Sequence, residues 1–408
     1  MKTPLHPARA FLSRFGRMHV IVPVSVLNSS AYTIVALGLV FYMRDRLGAG
    51  ASAIGMASAT FNGLYFIGCF ALRPVGLRVV PRYSLVVSSA AAAVLLSLLL
   101  ASESITAVVL LYGAVGFTVA LFWPPIMGWL SAAVEGRELN RRISHFNLAW
   151  SSGVVLGPLA AGFLAQWRLE APLVAGTTMV GVVGVVVLFA SVFLSEIRSD
   201  THRDRRATPD DAPDASTALR YPSWFGLVSS YIVLGALAVV VPLHARGTIG
   251  LAEGAVGVLL LTRGLAAAAA FWAMGVWTGW HGRALPVVAA QVSLLALLAL
   301  LAANGSLTSY LIVLPLLGLA IAASYTFSVY HGVAGASDRT RRMAIHEALL
   351  TLGAVCGALL AGRLYEGYGA RAAYLGCMAA TSVAIAAQIA VIAMPRRSRL
   401  FRRASRRA

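Results

Sequence analysis

Twelve apolar runs, each about as long as a membrane is thick, set the terms for this chain. They fall at about 18–42, 52–73, 83–101, 105–131, 145–166, 172–194, 222–245, 255–278, 285–303, 308–331, 344–365 and 372–394. Crossing a hydrocarbon core of ~30 Å takes roughly 20 helical residues, which every run reaches or approaches. Backbone in lipid must satisfy its own hydrogen bonds, so these runs are expected to be helices. The expected fold class is an all-α membrane protein with twelve transmembrane helices. Composition agrees, since only 12% of residues are charged, against about 25% in a typical soluble domain.

A repeat divides the runs into halves. Arg141 opens RRISHFNLAWSSGVVLGPLAAGFLA and Arg341 opens RRMAIHEALLTLGAVCGALLAGRLY, 200 residues later, with nine of 25 positions identical. A half-length repeat in an apolar chain implies two like bundles related by a pseudo-two-fold axis along the membrane normal. Between the sixth and seventh runs lies a polar stretch with Pro209, Pro213, five Asp and five Arg, the composition of a solvated connector. The expected domains are a basic N-terminus (1–17), a six-helix bundle (18–195), a linker (196–221), a second six-helix bundle (222–394) and a basic tail (395–408).

The net charge of +18 is mostly a topology signal. If both termini are cytoplasmic, 26 of the 33 basic residues fall in inside segments, as the positive-inside rule requires. No basic soluble domain exists for a nucleic acid to bind. The tail arginines anchor topology and offer a surface to anionic lipids. Residues 1–17 carry no A-x-A-like cleavage site, so the first run is expected to stay as an anchor. Cys69, Cys356 and Cys377 sit in apolar runs without metal or disulfide spacing. The eight histidines are scattered and do not converge with acids as chemistry needs, so neither an enzyme nor a metal or other cofactor is expected.

Two short motifs sharpen the 6 + 6 plan. Gly153-Val-Val-Leu-Gly157-Pro158-Leu-Ala-Ala161-Gly162 resembles the fifth-helix motif of proton-linked drug exporters of the major facilitator superfamily, with Ala161 where the family has Gly. Gly275-Val-Trp-Thr-Gly279-Trp-His-Gly282-Arg283 resembles the family's loop motif G-x-x-x-D-x-x-G-R, with Gly279 in place of the acid. The matching loop after the second run keeps Gly68, Ala71 and Arg73, with Leu72 in place of the acid. The resemblance implies a monomeric secondary transporter in a bacterial inner membrane, its substrate cavity lined by spans one, four, seven and ten. Neither loop has the acid that the family uses to lock its outward-facing state.

Several residues are candidates for that work. Arg263 lies amid LLLTRGLAAAAAF in the eighth run. An arginine near mid-membrane costs ~2.5–3.5 kcal/mol on insertion scales and must face protein or water. It either recognises an anionic substrate or braces backbone carbonyls or a tyrosine. Asn28, Tyr32, Asn62, Trp123, Tyr231 and Tyr325 are candidate substrate contacts, or else helix–helix glue and aromatic packing. Glu347 and His346 form a candidate proton-coupling pair. Alternatively Glu347 stabilises a helix N-terminus. Gly153, Gly157 and Pro158, with the twins Gly353 and Gly357, make small-residue stripes that serve tight packing or a rocking seam. Arg73 and Arg283 are candidate gating residues of the motif loops.

The function expected is export of a small amphipathic or anionic molecule by alternating access. Facilitated exchange of an anionic metabolite, and a non-transporting sensor on the same scaffold, are the alternatives.

Overall fold

Leucine, alanine and valine dominate every run, and the chain marks its turns with capping residues. Ser104 accepts from Ala107 N and Ser306 from Ser309 N at two helix starts. Pro81 occupies the first turn of a third, where the missing N–H costs nothing. Gly48, Gly250, Gly282 and Gly335 take positive φ in the connections, a conformation side chains resist.

The computed structural model describes residues 16–72, 74, 78–131, 136–194, 216–336 and 339–394. In chain order its helices are α1 (Arg17–Phe41), α2 (Ala51–Ala71), α3 (Pro81–Leu100), α4 (Ile105–Val119), α5 (Trp123–Ser131), α6 (Gly136–Trp167), α7 (Ala171–Phe193), α8 (Arg220–Gly247), α9 (Glu253–Val276), α10 (Ala284–Ala303), α11 (Leu307–Val333) and α12 (Arg339–Ala393). No strand occurs among the described residues. Among the described residues, eleven helical stretches are long and apolar enough to cross a membrane, α4 and α5 together forming the fourth. The last, α12, runs 55 residues, and Gly369 (φ 79°, ψ −176°) breaks it. Its two parts, 339–368 and 370–393, are each long enough to cross a ~30 Å core.

Two departures from expectation matter. The fourth span is interrupted at residues 120–122, just before Pro124 and Pro125, which sit in the first turn of α5. In both repeat copies the arginine pair lies on the helix, because α6 begins at Gly136 and α12 at Arg339. Glu347 is therefore eight residues into α12, beyond the first turn where a helix dipole acts.

The chain forms two compact units. The described residues of the first are 16–194 together with 245–261; those of the second are 216–244 and 262–394. The boundary thus departs from the linker alone: the end of α8 and the start of α9 belong with the first unit. In that unit α1 packs on α6 and α7, α2 on α4, and α3 on α7. In the second, α10 packs on α11 and α12.

The glycine stripes explain the tightest contacts. A Cβ at Gly153 would lie 2.7 Å from Val26 O, so α6 rests directly on α1. Thr33 ties the same pair by donating to Gly153 O at 3.1 Å. A Cβ at Gly353 would lie 2.6 Å from Val228 O and 2.8 Å from Tyr231 Cβ, so α12 rests on α8 in the same manner. At its C-terminal end the first stripe meets α9: a Cβ at Gly162 would lie 2.5 Å from Glu253 O, and one at Gly257 2.7 Å from Pro158 O. Pro158 itself lies inside α6, which continues through it.

Candidate functional site

Four helices of the second unit bring polar and aromatic side chains together. Tyr231 comes from α8, Phe271 from α9, Tyr325 and Ser328 from α11, and His346 from α12. The Tyr231 and Tyr325 rings lie 6.5 Å apart, and Phe271 meets Tyr325 edge-on at 5.7 Å. His346 also meets Tyr325 edge-on, at 4.9 Å. Its Nδ1 is 2.8 Å from Ser328 Oγ, which fixes the ring's orientation. Its Nε2 is buried and makes no hydrogen bond.

Arg263 stands ten residues after Glu253, roughly 15 Å along the helix at 1.5 Å per residue. The residue is half-buried, and its Nε is buried without a hydrogen-bond partner. Gly318 of α11 makes room for it: a Cβ there would lie 3.3 Å from Arg263 Cγ. Glu347 is exposed while its neighbour His346 is 1% exposed, so the two side chains face different surroundings.

Other candidates are dispersed. Asn28 is fully buried in α1, with both amide atoms unpartnered. Tyr32 is half-buried, 6.2 Å from Phe61, which stacks on Tyr112 at 4.7 Å. Asn62 donates to Ser58 O of its own helix at 2.8 Å. Trp123 meets Phe122 and Phe146 edge-on at 5.0 and 6.0 Å and packs against a buried cluster with Val20, Ile21 and Ile126. In this structure Trp123 is therefore part of the first unit's core. Gly153, Gly157, Gly353 and Gly357 are all buried in helix contacts within their own units. Arg283 is exposed and caps α10. Arg73, the linker 195–215 and the tail 395–408 lie outside the described residues.

Three arrangements had no counterpart in the sequence reading. In the first unit, Arg246 pairs with Asp45 at 2.8 Å and with Glu253 at 2.5 Å. Arg246 follows Arg46 by 200 residues, the repeat spacing, which was the available signal. In the second unit, Gln291 Nε2 donates to Gly226 O, Ser230 and Ser324 in a buried network. In the motif loop, Trp280 is 3% exposed, meets Phe327 and Tyr330 edge-on, and donates to Met274 O at 3.3 Å. His281 stacks on Tyr330 at 4.0 Å. An aromatic plug thus stands where the family's loop carries an acid at the position of Gly279.

Helical units with intramembrane charge and small-residue helix contacts define a multi-pass integral membrane protein of transporter architecture. Residues 21–337 match the Major Facilitator Superfamily, and the chain belongs to that family. It is 25% identical over 210 residues to uncharacterized MFS-type transporters of two Mycobacterium tuberculosis strains, H37Rv and CDC 1551. That match covers 50% of this chain and 48% of the relative, so the chain spans about half the length of the curated relatives it matches. Among solved structures, a bacterial homolog of the human lysosomal transporter Spinster superposes with a TM-score of 0.70 at 13% identity, covering 95% of this chain and 98% of that one. The nucleoside transporter NupG gives 0.68 at 13% identity over 95% and 100% of the two chains. A POT peptide transporter gives 0.73 at 12% identity over 92% and 94%. These likenesses establish the fold.

Proposed function

We propose that the chain is a secondary transporter that exports a small amphipathic or anionic molecule by alternating access. One observation carries the substrate side of this reading: Arg263 sits in mid-helix against Gly318 of α11 with its Nε buried and unpartnered. An intramembrane guanidinium is costly and stays charged. A ligand carrying an acidic or acceptor-rich group would supply the missing partner, in the bidentate geometry that arginine favours. The fifth-helix motif around Gly153–Gly162 supports the export direction and a place in the drug and metabolite exporter branch. Glu347 and His346 are the titratable groups available for proton coupling in the second unit. The reading extends to a monomer in the bacterial inner membrane with both termini cytoplasmic, its basic tail against anionic lipid.

The test begins with a thermal-shift screen of the purified full chain against metabolites and drugs, since a ligand of the folded state raises its stability by mass action. Hits are then followed as flux in proteoliposomes of both orientations. Acid-bearing hits should dominate, lose their shift in Arg263→Gln, and leave the cytoplasmic face faster than they enter. Hits that are uniformly neutral or cationic, or shifts that survive Arg263→Gln, would overturn the substrate reading. Flux without the outward preference would overturn the direction.

A further inference from the structure

Two donors at the start of α8 are buried and unpartnered: Nε of Arg220 and Nε1 of Trp224. Neither a guanidinium nor an indole nitrogen can accept a hydrogen bond. A buried donor left alone costs about 1–3 kcal/mol, so a partner rich in acceptor atoms is favoured here. What lies beside these donors is further positive charge, the guanidinium of Arg342 from α12.

The groups form one continuous strip. Arg220 Cζ lies 4.6 Å from the Tyr221 ring centre, and its Nη2 donates to the Tyr221 hydroxyl at 2.9 Å. The Tyr221 ring meets Trp224 edge-on at 5.7 Å. Arg342 Cζ stands 5.9 Å from the Trp224 ring. A guanidinium over a ring still presents N–H edges that match phosphate oxygens. Glycine keeps the space beside the indole nitrogen open. A Cβ at buried Gly332 of α11 would meet nothing within 4 Å except Trp224 Nε1, at 3.6 Å. A larger side chain there would cover the donor. Helix geometry adds to the charge, because Arg220 is the first residue of α8 and Arg342 lies in the first turn of α12. The partial positive charge of two helix starts therefore falls where the two arginines already are.

The strip sits where the apolar run of α8 opens, at about residue 222. Tyrosine and tryptophan favour that boundary, with the ring towards the acyl chains and the polar end towards the headgroups. Tyr221 and Phe225, one helical turn apart, are each 42% exposed. We infer that this strip is a binding site for the phosphate of an anionic phospholipid: Trp224 Nε1 and Arg342 take phosphate oxygens, Arg220 adds a second positive charge, and the acyl chains run along Tyr221 and Phe225. A soluble phosphate ester shares the head chemistry but leaves the exposed rings uncovered. The site is distinct from the basic tail and requires nothing of Arg263 or of the transported molecule.

Native mass spectrometry of the purified, delipidated full chain tests this, with phosphatidylglycerol and phosphatidylcholine of identical acyl chains offered in equal amounts. Phosphatidylglycerol should be retained at least ~5-fold better, the preference expected of arginines placed at an anionic headgroup. Trp224→Phe keeps an aromatic ring and removes the N–H; it should weaken phosphatidylglycerol by about 5-fold or more, because a hydrogen bond to a charged acceptor is lost. Arg342→Gln should lower the preference in the same way, and Arg342→Lys should keep part of it. Replacing Arg402, Arg403, Arg406 and Arg407 of the tail together by Gln should leave the preference intact. If Arg342→Gln does not fold, Trp224→Phe still decides.

Equal retention of the two lipids refutes the site. A preference that survives Trp224→Phe refutes it as well, since the indole N–H is the donor on which it is built. A preference that disappears with the tail arginines alone assigns the lipid to the tail instead. Displacement of phosphatidylglycerol by glycerol 3-phosphate at matched concentration refutes the lipid as occupant and leaves a site for a soluble phosphate ester.

Discussion

Replacing Gly353 by alanine adds one methyl group where α12 lies on α8. That methyl carbon would sit 2.6 Å from Val228 O and 2.8 Å from Tyr231 Cβ, about 0.6–0.8 Å inside ordinary contact at 3.4 Å. Both neighbours are fixed to the α8 backbone, so no flexible side chain can swing aside. The helices must part, and overpacking of this kind costs typically ~1–3 kcal/mol. Alanine's better helix propensity returns at most ~1 kcal/mol. Taking about 2 kcal/mol of overpacking less at most ~1 kcal/mol, the net loss is roughly 1–2 kcal/mol, a fall in Tm of a few degrees. Gly181 of α7 is the control, because a Cβ there meets nothing within 4 Å. Gly181→Ala should leave Tm unchanged or raise it, since only the propensity gain applies. Thermal unfolding of the two variants in the same detergent measures opposite signs. A Gly353→Ala protein as stable as wild type would refute the direct backbone contact and the tight α8–α12 seam. Because Gly353 also abuts Tyr231, the same variant should weaken any ligand whose binding depends on Arg263.

The remaining predictions concern the two units separately. In the first, Asp45→Asn and Arg246→Gln should each lower stability, and a double-mutant cycle should return a coupling of ~1–2 kcal/mol. Their side chains are only 23% and 26% exposed, which lifts the pair above the ~0–1 kcal/mol of a surface bridge; zero coupling would refute it. Trp123→Ala should cost ~3–5 kcal/mol of stability in denaturant unfolding, and a change in ligand affinity of the folded protein without that loss would place the indole at the substrate instead. In the second unit, Gln291→Leu removes the buried amide that joins Gly226 O, Ser230 and Ser324, and should cost ~1–3 kcal/mol by the same assay.

The helical class and the span positions were legible because lipid imposes one strong rule on the backbone, and a 20-residue apolar run satisfies it in only one way. The packing role of Gly153 and Gly353 was half legible: spacing put each stripe on a helix face, but not which helix lay opposite. Trp123 shows the limit, since an indole at that position fits a cavity wall and a core equally well until its neighbours are known. Arg246 shows another. Its partners Asp45 and Glu253 are 201 and seven residues away in sequence, and side-chain charge alone does not select one acid among several in outer loops.

Sequence alone therefore determined that this chain is a twelve-run, two-part membrane protein with one arginine in the middle of a span. Burial in lipid is a one-dimensional property that composition reports directly. Only tertiary structure decided which residues meet: that Tyr231, Phe271 and His346 gather round Tyr325, that Asn62 bonds its own helix, and that residues 245–261 join the first unit. Those outcomes depend on the rotation of each helix about its axis and on close approaches that glycines permit, and neither is encoded in the apolar pattern of any single run.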